Sequence, residues 1–328
     1  MTTISAQPGR NARGTPDDAD LVRSAQRSSV RRRQALWIWL LLLPTVVLYG
    51  VYTIYPIIAS YWYSLVEWNG FGADKRFVGF SNYRSVFADP LFWSSFKITI
   101  IFMLLVAPAR VILSFLLAIV LNSPKLPLSK LFRTVFFLPV VTTTAIVGVV
   151  MQFILDPASG PINSFLKFLG FEGGVNFLGD SKVALVTVSV VYVWKFFGIT
   201  MIYWLAALQT IPQDIYEAAR IDGAGFVQMF RYITVPLLKP FVIIISLLTI
   251  EDTFRAFDLM QTMTAGGPFF STEIIEIYIY RWAFAAPIPQ LGHASAAAVL
   301  FGAFVFAVGL IQLWGVYAAR RLRKDYSS

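Results

Sequence analysis

Six stretches of mostly apolar residues, each near the roughly 20 needed to cross a bilayer core as a helix, constrain this chain more than anything else in it. They run over 36–60, 96–121, 131–155, 183–208, 237–257 and 294–317. Pro44, Pro108 and Pro139 fall inside them. Proline is tolerated in spans because neighbouring helices and side chains re-satisfy the backbone groups it frees. The expected fold class is an all-α integral membrane protein with six transmembrane helices. Only 14% of residues are charged, against about 25% in a soluble domain, so much of the surface is expected to face lipid.

The same composition excludes several functions. There is no Cys, hence no disulfide, thiol nucleophile or Cys-ligated metal. His293 is the single His and rules out a His-pair zinc motif; it reads as an interfacial residue without a catalytic part. No Gly-Lys dipeptide occurs, so the chain has no phosphate-binding loop of the nucleotide-hydrolase type. The reading is a transport subunit with no cofactor or metal of its own, not an enzyme.

Residues 1–34 are rich in Ser, Arg, Gly, Thr and Asp and poor in large apolar residues. They are expected to form a disordered basic tail. The apolar run behind it is too long for a secretory signal, and no small-residue cleavage site follows. The membrane domain is placed at 35–320 and a second tail at 321–328.

Lys and Arg near the helix ends set orientation. With the N-terminus inside, most of the 27 Lys and Arg gather on the cytoplasmic side. The short flanks Arg31, Arg32, Arg33 and Arg320, Arg321, Arg323, Lys324 decide it. Both termini are expected in the cytoplasm of a multi-pass plasma-membrane protein. The net charge of +9 then reads as topology and contact with anionic lipid. No basic stripe interleaved with aromatics points to nucleic acid. The loops 61–95 and 156–182 fall outside, their Trp residues reading as interfacial anchors.

The cytoplasmic loop 209–239 is too polar to span and too regular to be a random connection. Pro212 suits a helix start, and Asp214 and Glu217 suit its positive N-terminal dipole. Ile215, Ala218, Ala219 and Ile221 approximate an apolar face, and Gly223 and Gly225 end the helix. A second helical stretch, 226–234, is expected before Pro236. A short helix of small residues there suits a partner's groove. The alternative, a helix lying on the membrane, lacks a Lys-rich polar face.

Glu217-Ala218-Ala219, then Gly223, Ile233 and Pro236, resembles the EAA loop of ABC import permeases, with Val235 where that pattern has Leu. Leu208 to Ala224, Pro56 with Ser64, Phe77-Val78-Gly79-Phe80-Ser81-Asn82-Tyr83 and Gly266-Gly267-Pro268 resemble the carbohydrate-uptake branch, of the MalF/UgpA type. The likeness covers about 36–320. The large outer domain of the maltose permease has no counterpart.

The resemblance implies the type I importer fold and a coupling helix that sits in a cleft of an ATP-binding subunit. Glu217, Ala218, Ala219, Asp222 and Gly223 would carry that coupling. It implies a second, homologous permease and two ATPase subunits that bind ATP and Mg. It also implies an extracytoplasmic solute-binding protein, near which Gly266, Gly267 and Pro268 would lie; by composition these three form a turn.

Polar groups at membrane depth are costly and usually face the interior or a wet cavity. The fourth span holds Tyr192, Lys195 and Phe196; the fifth ends in Thr249, Glu251, Asp252, Thr253 and Arg255. Aromatic faces beside hydrogen-bonding groups suit a sugar. By likeness to the sugar-lining helices of maltose permeases, Tyr192, Lys195, Phe196, Thr249, Asp252 and Thr253 are the substrate-path candidates. Structural ion pairs, Lys195–Asp252 or Glu251–Arg255, are the alternative; the second has helical i,i+4 spacing. Arg110 reads as a snorkelling residue in the outer half of its span, without a function. The expected function is import of a sugar or oligosaccharide, with a polyol phosphate such as glycerol phosphate as the alternative. An ion-coupled transporter also places charges at the midplane, but has no use for the 217–236 loop.

Overall fold

The computed structural model describes residues 34, 37–72, 74–123, 126–171 and 173–325, with 316–325 as backbone alone. The expected tail 1–34 lies outside these residues except for Gln34, and so do 326–328 of the second tail. The described residues divide into two compact units, one within Met1–Ala59 and the other within Ser60–Ser328.

The first unit holds most of α1, Trp37–Tyr63, an apolar span of 27 residues. The second unit contains a short antiparallel hairpin, β1 (Val66–Glu67) with β2 (Arg76–Phe77). Among the described residues eleven helices follow: α2 (Ser81–Ala88), α3 (Pro90–Leu121), α4 (Ser129–Val141), α5 (Thr144–Ile154), α6 (Pro161–Phe168), α7 (Ala184–Leu208), α8 (Gln213–Ile221), α9 (Phe226–Thr253), α10 (Phe257–Met263), α11 (Ile275–Tyr280) and α12 (Leu291–Asp325).

Among the described residues, five helices are each long and apolar enough to cross a membrane: α1, α3, α7, α9 and α12. The sixth expected span, 131–155, is not one straight helix. It is the pair α4–α5, bent by 97° between Val141 and Thr144. Pro139 lies in the last turn of α4, and Thr142 and Thr143 are extended. The apolar run hides this break because hydropathy does not register direction. The 226–234 stretch also differs from expectation: it is the first part of α9 and runs through Pro236 without a stop.

A repeated backbone device accounts for that continuity. Widened π-turns occupy Gly50–Ile54, Phe230–Thr234 and Arg281–Ala285. In each, the following residue, Tyr55, Val235 or Ala286, donates its N–H five residues back. Each of these three immediately precedes a proline: Pro56, Pro236 and Pro287. Proline has no N–H and crowds the carbonyl four residues earlier; a π-turn changes the bonding register just where that happens.

The core of the second unit lies along α3 and α7, which pack together over much of their length, with α4 against α7 and α9 against α3. One apolar cluster joins Phe102, Val106, Val188, Tyr192, Leu259 and Met260. Another, nearer α8, joins Ala118, Met201, Trp204, Leu205, Leu238 and Ile245. Glycines set two close approaches. A Cβ on Gly198 would meet the Phe136 carbonyl oxygen at 2.2 Å, and one on Gly148 would meet Thr262 Oγ1 at 1.9 Å. The start of α12 is seated by Gly292 against the Val66 carbonyl. Asn82 Nδ2 donates to the carbonyls of Ser64 and Val66 at 2.9 Å each, so Ser64 and the Phe77–Tyr83 motif form one corner beneath α12.

Candidate translocation path and coupling helix

The polar groups at mid-span meet around a residue the sequence reading left without a role. Arg110, on α3, is 2% exposed. It does not snorkel. Its Nη1 donates to Asp252 Oδ2 at 2.6 Å and its Nε to Thr200 Oγ1 at 3.1 Å. Its guanidinium carbon lies 5.4 Å from the centre of the Phe196 ring. One side chain thus ties α3 to α7 and α9. The guanidinium presents its donors in a rigid planar fork, which suits such a junction better than an ammonium.

Asp252 is partly open, and its carboxylate lines a cavity of about 270 Å³. Arg110, Phe196, Tyr203, Glu251 and Arg255 share that wall, with Val140 from α4. Glu251 and Arg255 pair at 2.8 Å on the exposed rim, where an ion pair contributes about 0–1 kcal/mol. The cavity therefore carries two guanidinium groups, two carboxylates and two aromatic rings.

The other substrate-path candidates lie behind this wall. Tyr192 is buried, and its hydroxyl donates to the Asp252 carbonyl at 2.8 Å. Thr249 and Thr253 are buried and donate back along their own helix, to the carbonyls of Ile245 and Thr249, each at 2.7 Å. Lys195 is fully buried and does not pair with Asp252. Its Nζ donates to the carbonyls of Thr142 at 2.7 Å and Pro139 at 3.1 Å. These carbonyls lie at the C-terminal end of α4, which has unsatisfied acceptors and the negative end of the helix dipole. Of the six candidates, Phe196 and Asp252 reach the cavity.

At one end of the unit, α8 stands with Glu217, Ala218, Asp222 and Gly223 exposed and Ala219 half-buried. Its end follows from the sequence. Gly223 takes φ +81°, and the N–H groups of Gly223 and Ala224 return to the carbonyls of Arg220 at 3.1 Å and Ala219 at 2.9 Å. This is the Schellman arrangement, in which glycine avoids the Cβ penalty. Gln228 then accepts from the Gly225 N–H at 2.9 Å and starts α9. The Tyr216 hydroxyl lies 2.9 Å from Thr234 Oγ1 and fastens α8 to α9. A cavity of about 490 Å³ lies behind α8, lined by Asn122, Gln213, Tyr216, Arg220 and Phe230 among others.

At the opposite end of the spans, Gly266, Gly267 and Pro268 form a tight turn. Gly266 takes φ +85°, and Thr272 Oγ1 donates to the Gly267 carbonyl at 2.7 Å. Glu273, buried beneath it, pairs with Arg281. Burial raises the Glu273 carboxyl above its ordinary value, and Arg281 works against that rise. Phe269 projects from the turn, 93% exposed. His293 is buried within the protein; its Nε2 lies 2.7 Å from the Tyr278 hydroxyl, which donates to Asp89 at 2.6 Å.

This arrangement, a helical membrane unit with an exposed short helix at one end, is that of an importer permease. Residues 110–324 match the family model of the binding-protein-dependent transport system inner membrane component, and the chain belongs to that family. It is similar to the lactose transport system permease protein LacF of Rhizobium radiobacter, 33% identical over 90% of this chain and 98% of that one. It is also similar to the probable ABC transporter permease protein YurN of Bacillus subtilis, 32% identical over 84% of this chain and 94% of the other. The glycerol-3-phosphate transport system permease protein UgpA of Pectobacterium atrosepticum is 33% identical over 84% and 92%. A chain in the crystal structure of a bacterial ABC transporter that imports the acidic polysaccharide alginate has the same fold. It superposes with a TM-score of 0.75 at 21% identity, covering 90% of this chain and 99% of that one.

Proposed function

We propose that this permease subunit carries a neutral sugar or oligosaccharide and that the cavity around Asp252 is part of its path. The observation that carries this reading is the charge balance of the cavity: Arg110 is committed to Asp252 and Arg255 to Glu251. A strongly anionic ligand would have to displace a carboxylate from a guanidinium. A neutral sugar can lay its CH face on Phe196 or Tyr203 and bond its hydroxyls to the free carboxylate lone pairs. The likeness to LacF supports a sugar; that to UgpA supports a polyol phosphate as the second reading, with Arg255 at the rim as its cation.

In this reading α8 is the coupling helix, with Glu217, Ala218, Ala219, Asp222 and Gly223 facing an ATPase subunit. A second permease completes the pathway, two ATPase subunits bind ATP and Mg, and an outer binding protein delivers solute near Gly266–Pro268. Both termini and α8 lie in the cytoplasm. The test is uptake by the complex reconstituted with its cognate subunits, comparing neutral sugars with sugar acids and polyol phosphates. Uptake confined to anionic solutes overturns the neutral-sugar reading.

A further inference from the structure

The helix α6 is amphipathic, and its apolar face is turned away from the protein. At 100° per residue, Ile162, Phe165, Phe168 and Leu169 fall within one arc about 120° wide, and Asn163, Ser164 and Lys167 fall on the other side. Phe165 is 59% exposed and Phe168 85%. The residue buried against the rest of the chain is polar: Asn163, at 1%. Its Nδ2 donates to the carbonyls of Asp156 at 3.1 Å and Val175 at 3.0 Å, and its Oδ1 accepts from the Val175 N–H at 2.8 Å.

This helix is firmly built. Pro161 opens it, and Gly170, at φ +92°, closes it, with the Phe171 N–H returning to the Leu166 carbonyl at 3.0 Å. An ordered helix showing aromatic rings outward loses free energy in water, at about 25 cal/mol for each Å² of apolar surface.

We propose that α6 lies along the surface of the bilayer on the side opposite α8, with its aromatic face in the acyl boundary. Two observations select lipid as the occupant. First, the bonds from Asn163 seat α6 at the end of α5, two residues past Ile154, and α5 itself exposes Ile146, Val149, Val150 and Phe153. The apolar surface of a spanning segment thus continues along the chain into α6. Second, Lys167 and Ser164 stand exposed on the polar arc, where headgroups and water would solvate them while the aromatic arc, rather than a Lys-rich face, supplies the attraction to the bilayer. The proposal rests on the membrane-spanning reading of α7.

The test uses the assembled complex in vesicles of phosphatidylethanolamine and phosphatidylglycerol, with single Cys residues carrying a nitroxide; the chain has no native Cys. Collision with oxygen, which concentrates in lipid, is compared with collision with a water-soluble nickel chelate. Labels at Phe165, Phe168 and Leu169 should collide mainly with oxygen, and labels at Ser164 and Lys167 mainly with nickel. Val190, exposed on α7, is the lipid standard. Nickel-dominated collision at all five α6 sites, with Val190 in lipid, overturns the proposal alone. Protection of Phe165 and Phe168 from both reagents also overturns it, in favour of a protein cover. A water-like Val190 overturns the spanning reading beneath it. The labels at Ser164 and Lys167 keep every apolar side chain, so a poorly folding Phe165→Cys does not remove the test.

Discussion

Arg110 Nη1 lies 2.6 Å from Asp252 Oδ2, although 142 residues separate the two in sequence. Each charge is tolerated because of the other: Arg110 is 2% exposed, and Asp252 faces a cavity that also holds Glu251. Removing one partner leaves the other charge uncompensated at membrane depth, and a charge-assisted hydrogen bond of this kind contributes about 1.5–3 kcal/mol. Arg110→Met is expected to lower uptake per assembled complex roughly tenfold or more. Thr253→Ala, which removes only a bond to the helix's own backbone, should change it little. Normal uptake in Arg110→Met would remove this pair from the path.

The coupling prediction rests on one backbone conformation. Gly223 sits at φ +81° with open space around its missing Cβ. A side chain there meets no clash but pays about 1–2 kcal/mol for the left-handed conformation. Gly223→Leu should therefore keep the membrane domain intact while misdirecting the end of α8. ATPase activity stimulated by the binding protein should fall at unchanged membrane abundance. Full stimulation at wild-type abundance would remove Gly223 from the coupling role.

Lys195 and Gly198, one turn apart on α7, fix the seat of α4 by different means. Lys195 satisfies two carbonyls at the bend, and Gly198 admits the Phe136 backbone. Val140, between the two residues whose carbonyls accept from Lys195, lines the cavity. Lys195→Met strands acceptors in a buried site, which costs about 1–3 kcal/mol; Lys195→Arg can still reach them. A nitroxide pair at Phe132 and Phe153 should report a broadened distance distribution across the break in Lys195→Met and a narrower one in Lys195→Arg. An unchanged distribution in Lys195→Met would show that the bend holds without it.

The spans were legible because apolar length is written in the sequence; the 97° bend was not, because hydropathy carries no direction. The end of α8 was legible from Gly223, since a left-handed cap strongly favours glycine. Asp252 was legible as a charge near a span end. Its partner was not: Arg110 and Lys195 are both single cations within apolar runs, and only packing assigns one to a carboxylate and the other to a helix end. A hint lay in position. Arg110 falls 11 residues before the end of α3 at Leu121, about 16 Å at 1.5 Å per residue, too deep for easy snorkelling.

Orientation is testable by labelling, again because the chain has no Cys. Gly173 and Arg220 are both exposed and lie at opposite ends of α7. In intact cells an impermeant thiol reagent should modify Gly173→Cys and spare Arg220→Cys until the membrane is opened. The reverse pattern would invert the proposed topology.

Glu276 makes a pH prediction outside the spans. It lies on α11, with one carboxylate oxygen, Oε2, buried and without a partner in the described structure. Burial pushes its carboxyl up to about 7 and Asp258 adds to the rise, while the N–H groups of Phe257 and Ala256 and the charge of Arg255 oppose it. The ordinary value is 4.5. Between these two values the folded protein binds a proton that the unfolded chain has released, so stability falls as pH rises through this range. The contribution is fully present below 4.5 and is lost once pH has passed about 7. Thermal unfolding of the purified complex should therefore shift to lower temperature from about pH 5 to about pH 8. Glu276→Gln, always neutral and similar in shape, should flatten that dependence and match the wild type at the acid end. Asp258→Asn should move the midpoint of the dependence down by removing a like charge. If wild type and Glu276→Gln lose stability in parallel across this range, the titrating group is elsewhere.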